Sequence, residues 1–290
     1  MLFRSVATSE IVNRNSEFIT MNVQATAGSA THFQMFEDDL LDLGSGSGLT
    51  DIQAYQGGNE QYAQPVRSWG SAIIMQILYQ HMIVRADSGI NSVYDLAGKT
   101  VGVGAAGSGG AIRAQAMFTS LGIHDQINYV YMSTGEIAEM FKDDQLDCII
   151  SSNPIGNANT TDTLNSVDCK FVPLSEEDFK KIAIDGELKG KTSEAFLTNK
   201  QWSIIPEGES VRTLTDYSSC NASLYVSDEV IYDLCKLYWD HFDEIKAVVS
   251  GNDAVPENIL MATGLVHPGA AKYYKEEWGI DIPAEKISVR

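Results

Sequence analysis

Residues 99–110 read KTVGVGAAGSGG, and the elements that they predict indicate the class of the fold. Its first half, residues 99–104, predicts a short strand, and the glycines that follow predict a loop. Residues 111–121 then have apolar side chains at helical spacing, with Ser108 in the position of a helix N-cap. A strand, a glycine-rich loop and a helix in this order form the basic unit of an α/β protein.

The same alternation continues on both sides of this unit. Helices are predicted at residues 49–56, 111–121, 135–142, 175–184 and 227–249, with Ser175 and Ser227 as N-caps. Strands are predicted at residues 18–25, 40–43, 73–85 with a break in the middle, 99–104, 128–132, 147–151, 171–174 and 221–226. Gly44 to Gly48 are expected to form a Gly/Ser loop, and residues 184–219 a longer loop. We therefore expect an α/β fold whose strands are mainly parallel.

The glycine run after residue 101 has three interpretations. Residues 102–107 match G-x-G-x-x-G, the pattern of a nucleotide-binding loop, but the acidic partner about 20 residues further on is missing. In the second interpretation, Ser108, Gly109 and Gly110 present bare backbone N–H groups at the positive end of a helix and bind a carboxylate. In the third, the glycines only form a turn. Gly28 and Ser29 repeat the arrangement and could converge on the same anion.

The charge of the chain excludes two classes of partner. Its 290 residues include 39 Asp and Glu against 20 Lys and Arg, which gives a net charge of -19. This charge repels phosphate backbones and anionic lipid, so we expect no nucleic acid and no membrane surface as partner. The longest mostly apolar stretch, residues 72–84, contains Gln76, Gln80 and His81 and is too short to cross a bilayer.

No motif of hydrolytic, group-transfer or metal chemistry is present in the sequence. The chain lacks G-x-S-x-G, H-E-x-x-H and G-K-[ST], and its five histidines are scattered. Its four cysteines are Cys148, Cys169, Cys220 and Cys235; they are widely spaced, and they permit two disulfides that a chain of this length does not need. We predict no catalytic residue, no bound metal and no cofactor.

Several segments together resemble one family. They are VRADSGINSVYDLAGKTVGVG at residues 84–104, AGSG at 106–109, VQATAGS at 23–29, YMSTGE at 131–136 and HPGAAKYY at 267–274. In this combination, over nearly the whole chain, they resemble the TAXI-type solute receptors, which are the extracytoplasmic binding proteins of TRAP transporters.

The resemblance implies a two-lobed periplasmic-binding-protein fold of type II character. Lobe one would comprise residues 1–94 and 206–290, and lobe two residues 95–205. Such a receptor closes on a small carboxylate, such as glutamate or a dicarboxylate, and delivers it to the TRAP transporter membrane subunit. It would work in the periplasm or at the outer face of the membrane, as a non-enzyme.

The resemblance also places the ligand site. Carried over by position, the residues expected to line the cleft are Gly28, Ser29, Ser47, Ser108, Gly109, Gly110, Ser151, Ser152 and Asn153, with Ser133 as a further candidate. Arg113 is added from its position one turn into the helix that Ser108 caps, from which its guanidinium could reach the ligand. The alternative for Arg113 is a solvated helix residue.

The sequence departs from the family pattern at several points. The usual export signal, first strand and following loop have no counterpart before Met1, so we expect a misassigned start codon or a truncated gene. Gln76-Ile77 stands where members have Tyr-Pro, and Ser47 and Leu49 stand where many have Gln and Asp. Two other classes stay open: a ligand-sensing module docked to another protein, and an α/β enzyme that binds a nucleotide at residues 102–107.

Overall fold

The computed structural model describes residues 2–26, 28–59, 61–249 and 253–289. Its α-helices are α1 (Leu2–Asn15), α2 (Ser29–Glu37), α3 (Gly48–Gln56), α4 (Gly109–Ser120), α5 (Thr134–Lys142), α6 (Ala158–Ser166), α7 (Glu176–Phe179), α8 (Asp228–Asp240), α9 (Phe242–Val248) and α10 (Pro268–Trp278). Its strands are β1 (Leu43–Ser47), β2 (Trp69–Arg85), β3 (Thr100–Gly102), β4 (Asn128–Val130), β5 (Cys148–Asn153), β6 (Cys169–Phe171), β7 (Ser193–Thr198) and β8 (Ser210–Ser223).

The chain divides into two compact units. Unit 1 comprises Met1–Gln76 and Tyr217–Arg290, and unit 2 comprises Ile77–Asp216. Both divisions fall inside long strands, β2 and β8. The two lobes expected from the sequence have other boundaries, at residues 94/95 and 205/206, and these stay a prediction.

Unit 1 contains an antiparallel pair of strands covered by helices. β1 pairs with the second half of β8, from Leu43 opposite Ala222 to Ser47 opposite Ser218. Helix α2 packs on β1, and α8 packs against α10 and α1. An aromatic cluster around Phe33, in edge contact with Tyr62 and Trp69, excludes water between α2 and the segment that leads into β2.

Unit 2 contains a mixed sheet. β3 pairs in parallel with both β4 and β5, whereas β5 and β6 run antiparallel to β2, and β7 runs antiparallel to β8. One face is covered by α5 and α6, whose Ile137, Phe141 and Leu164 pack on Ile83 and Ile149 of the sheet. This apolar layer holds the parallel strands in register.

Helix α4 covers the other face of this sheet. Helix α4 connects β3 to β4 on one side of it, and α5 connects β4 to β5 on the other side of β3. The two connections run in opposite directions along the sheet, and crossovers of this kind are right-handed, so α4 and α5 lie on opposite faces. A Cβ on Gly102 of β3 would lie 2.8 Å from Ile137 of α5, so position 102 faces α5. Ile149 of β5 is paired in register with Gly102 and therefore faces α5 too. Because side chains alternate along a strand, Ile150 and Ser152 therefore point to the α4 face.

The predicted α/β class is confirmed, but the strands are mixed rather than mainly parallel. Among the named strands whose pairing the structure describes, β3 runs parallel to β4 and β5, since each of these connections is a crossover helix. The other pairings join β2 and β8 to strands that run in the opposite direction. A local sequence pattern does not specify strand direction, which depends on how the chain returns.

Several local predictions were wrong. Of the strand predicted at residues 40–43, only Leu43 belongs to a strand, where it begins β1. Residues 18–25 form no strand; Phe18 is exposed, and Asn13 of α1 bonds the Met21 backbone instead. Gly44–Ser47 are strand β1 rather than a loop, because they pair with β8. β2 is one strand of 17 residues without the predicted break. The predicted loop of residues 184–219 contains β7 and most of β8, whose partners are distant in sequence.

Candidate functional site

Two adjacent parallel strands of unit 2 end at the same edge and lead to opposite faces. β3 leads to α4 on one face, whereas β5 leads to α6, which packs with α5 on the other. Neighbouring strands whose connections diverge in this way leave a crevice at their carboxyl ends, where α/β proteins bind ligands. Ser108, Gly109 and Gly110 follow β3, and Ser151, Ser152 and Asn153 end β5. The fold therefore brings these six predicted residues to one edge of unit 2.

The N-terminus of α4 has the features of an anion-binding site. The Ser108 Oγ accepts a hydrogen bond from the Ala111 N–H (3.2 Å), which confirms the predicted N-cap. The loop before it needs glycine at Gly104 (φ 96°) and Gly107 (φ 72°), a backbone region that other residues rarely adopt. The first turn of α4 contains no acidic side chain, so nothing in this turn neutralises the positive end of the helix dipole.

The neighbouring helix α5 differs in this respect. The Glu136 carboxylate accepts hydrogen bonds from the Ser133 Oγ (2.6 Å) and from the Ser133 backbone N–H (3.0 Å). These bonds hold the pKa of Glu136 below its usual value. The N-terminus of α5 thus has an internal carboxylate, and Ser133 is bonded within its own helix cap.

The end of β5 presents small polar side chains that are half-buried. The Ser152 Oγ donates to the Gln80 Oε1 on β2 (2.9 Å). The Asn153 Nδ2 donates weakly to the Thr160 Oγ1 of α6 (3.4 Å), and Ser151 lies opposite His81 in the β2–β5 ladder. Gln80 was not among the residues predicted to line the site, although a glutamine within the mostly apolar residues 72–84 is unusual enough to indicate a role.

Arg113 is buried, with 1% of its surface exposed, so the alternative of a solvated helix residue is wrong. Its Nη2 forms an ion pair with the Asp216 carboxylate of β8, and its Nη1 donates to the Thr192 Oγ1 (3.1 Å). The guanidinium is therefore held by protein partners inside unit 2. No sequence signal pointed to Asp216, which is 103 residues from Arg113.

The predicted residues of unit 1 surround the carboxyl end of β1. Ser47 caps α3 in a reciprocal arrangement with Thr50, and Gly28 precedes α2 with a φ of 144°. His32 joins α2 to β1, since its Nδ1 contacts the Ser45 carbonyl (2.8 Å). Burial lowers the pKa of His32, and the Ser45 carbonyl partly offsets this effect. Gly28, Ser29 and Ser47 thus lie in one region of unit 1.

A buried polar network supports this region. The Asp51 carboxylate accepts hydrogen bonds from the Ser219 Oγ and the Asn221 Nδ2, each at 2.9 Å, and Ser71 donates to the Asn221 Oδ1 (3.0 Å). All four side chains are at most 1% exposed. The network joins α3, β2 and β8 within unit 1, and the sequence alone gave no sign of it.

Gly46→Ala is expected to destabilise unit 1 by about 1–3 kcal/mol. A Cβ at this position would lie 2.5 Å from the Asn221 Nδ2 and 2.7 Å from the Ser219 Oγ, so it would displace the network around Asp51. Urea unfolding measures the loss. Gly135→Ala is the control, because its Cβ meets no atom within 4 Å in helix α5 and should be neutral or slightly stabilising. Equal stability of the two variants would contradict the expectation.

No metal site is assembled in the described part of the chain. Residues 2–26, 28–59, 61–249 and 253–289 contain no group of three His, Cys, Asp or Glu side chains placed to hold a metal ion. All four cysteines are free thiols. Within the same ranges, no helix has both the length and the apolar character needed to cross a bilayer.

A family model covers almost the whole chain. The model of the NMT1-like family matches residues 3–277. The match therefore includes both regions described above, at the carboxyl ends of β1 and of β3 and β5.

Solved structures with the same fold are distant in sequence. MatC from Rhodopseudomonas palustris with bound malate is 12% identical, with 90% of this chain and 87% of that chain covered and a TM-score of 0.56. XAC2383 from Xanthomonas citri bound to ATP is 12% identical, with 94% and 90% covered and a TM-score of 0.55. A periplasmic transporter is 10% identical, with 86% and 81% covered and a TM-score of 0.51. At this identity the likeness establishes the fold, which is that of the two-lobed periplasmic binding proteins.

Proposed function

Because this chain belongs to the NMT1-like family, we propose that it is an extracytoplasmic solute receptor that binds a small carboxylate. The observation that carries the proposal is the N-terminus of α4, where Ser108, Gly109 and Gly110 form an anion seat. This seat lies at the crevice between β3 and β5 and has no acidic side chain in its first turn. Backbone N–H groups at such a position favour a carboxylate.

The charge of the chain limits how the ligand is held. With a net charge of -19, the protein repels an anion at long range, although salt screens this repulsion beyond about 8 Å at physiological ionic strength. Local donors therefore supply the affinity, and in the anion seat these are backbone N–H groups. Arg113 contributes mainly by fixing α4 on β8, because Asp216 and Thr192 already bind its guanidinium.

The more specific assignment is a TAXI-type receptor of a TRAP transporter. Its support is the set of segments at residues 23–29, 84–109, 131–136 and 267–274, which resemble that family. In this assignment the partner is the transporter membrane subunit, and the protein acts without catalysis. A gene for a multi-span transporter beside this one would support the assignment, and a purified complex with that subunit would test it directly.

Gly110→Leu is expected to weaken carboxylate binding at least tenfold. A Cβ at Gly110 meets only the Val103 carbonyl, at 3.8 Å, so the fold accepts it, while the longer side chain covers the anion seat. Glutamate, 2-oxoglutarate, succinate and neutral sugars are first screened by thermal shift against the wild type. Calorimetry with the acid that gives the largest shift then measures the affinity of the variant.

Gly135→Leu is the matched control for this measurement. Gly135 also occupies the second position of its helix, α5, and has open space around its Cβ. It should bind the acid as the wild type does. Unchanged binding in Gly110→Leu would place the carboxylate elsewhere, and a wild-type response to a neutral sugar but to no acid would overturn the ligand class.

A further inference from the structure

Gln80 of β2 carries a buried donor group that no described residue of the protein accepts from. The side chain is 2% exposed, and its Oε1 accepts a hydrogen bond from the Ser152 Oγ (2.9 Å). Its Nε2 has no hydrogen-bond partner among the residues that the structure describes. Because Ser152 fixes one end of the amide, the two N–H donors of the other end have a defined direction.

Such a group is unfavourable for the protein by itself. A buried amide whose donors are unpaired lowers stability, since these donors lose their hydrogen bonds to water on folding. Its neighbours on the same face of the sheet, Met82 and Ile150, are apolar and buried. A methionine at position 80 would fill similar space without this penalty, so packing does not account for the glutamine.

The position of Gln80 connects it with the anion seat. Gln80 lies opposite Ser152, near the carboxyl end of β5, and both side chains point to the face that α4 covers. The N-terminus of α4 lies at this same edge, because α4 follows β3, the other neighbour of β5. The unpaired donors of Gln80 and the N–H groups of residues 108–110 therefore belong to one edge and one face of unit 2.

We propose that the Gln80 amide binds a second oxygen-bearing group of the ligand, separate from the carboxylate in the anion seat. β2 is two strands away from β3, which corresponds to about 10 Å between backbones, so one carboxylate group cannot occupy both positions. The ligand class is then a small acid with an oxygen acceptor at each end, such as a dicarboxylate or an oxo-dicarboxylate. This inference rests on the proposed solute-receptor function.

The test compares Gln80→Met with the wild type in two measurements. The first is the unfolding temperature without ligand, which should stay equal or rise because an unpaired donor is removed. The second is calorimetry with succinate, 2-oxoglutarate and butyrate, where butyrate has a carboxylate at one end only. The wild type should prefer the two dicarboxylates, and Gln80→Met should bind them at least tenfold more weakly, at the level of butyrate.

Gln115→Met on α4 is the matched control. The Gln115 amide donates to the Tyr131 hydroxyl (2.8 Å), so its loss should leave the preference unchanged. Unaltered binding of succinate and 2-oxoglutarate by Gln80→Met would overturn the inference, and so would a fall of several degrees in its unfolding temperature. If the wild type binds none of the three acids, the carboxylate function fails; the unfolding temperature of Gln80→Met then decides whether the amide has only a structural role.

Discussion

Replacing Arg113 with methionine is expected to lower the free energy of unfolding by about 3–5 kcal/mol. The substitution leaves the Asp216 carboxylate, 7% exposed, without its cationic partner, and it removes the donor to Thr192. A buried charge that has lost its partner keeps its full desolvation penalty. Chemical denaturation of the ligand-free protein in urea gives the loss directly.

Two further variants isolate the ion pair. Arg113→Met combined with Asp216→Leu should recover most of the loss, because an apolar pair replaces the ionic one without an unpaired charge. Arg212→Met is the control: Arg212 pairs with Glu194 at 2.7 Å on the more exposed part of the β7–β8 ladder. Its loss should be below about 1 kcal/mol. A loss for Arg113→Met no larger than that of Arg212→Met would contradict the argument.

The second large effect is a loss of stability in acid that comes from His81. This side chain is fully buried between Phe171 and Trp202, with ring centroids at 5.8 and 5.4 Å. The Trp202 Nε1 donates to the His81 Nε2 (3.1 Å), so that nitrogen accepts and the ring is neutral. Burial lowers the pKa of His81 to about 3, and the Tyr79 backbone offsets only part of this.

The sign of the effect follows from this lowered pKa. In the unfolded chain His81 titrates near 6.5, so between pH 6.5 and about 3 the unfolded state binds a proton that the folded state excludes. The contribution of His81 is fully present above pH 6.5 and decreases by about 1.4 kcal/mol for each pH unit below it. At pH 4.5 the loss from this residue should be roughly 2.7 kcal/mol.

His81→Gln isolates this contribution from that of the carboxylates. The glutamine carbonyl can still accept from Trp202, but it does not titrate. Urea unfolding of both proteins from pH 7.5 to 4.5 should show the difference in free energy between wild type and variant shrinking, or changing sign, as the pH falls. A difference that stays constant across this range would exclude His81 as the source.

Most helices and strands of this protein follow from local features of its amino-acid sequence. Ser108, Ser175 and Ser227 cap helices where predicted, because an N-cap needs only a hydroxyl and the N–H groups two or three residues further on. The alternation of strands and helices could be predicted for a similar reason, because the spacing of apolar residues is a local property of each helix or strand. The start of α4 is such a local feature, and the sequence placed it correctly with Ser108 as its N-cap.

The tertiary structure alone decided which of these elements meet. Residues 210–219 were predicted as part of a loop, yet they form most of β8, because β1 and β7 supply its hydrogen bonds from far along the chain. The ion pair of Arg113 with Asp216 and the contact of Gln80 with Ser152 join residues 103 and 72 positions apart. Burial and hydrogen-bond satisfaction are properties of the packed chain. No window of sequence could therefore show that Arg113 is held by the protein, or that the Gln80 Nε2 has no hydrogen-bond partner among the described residues.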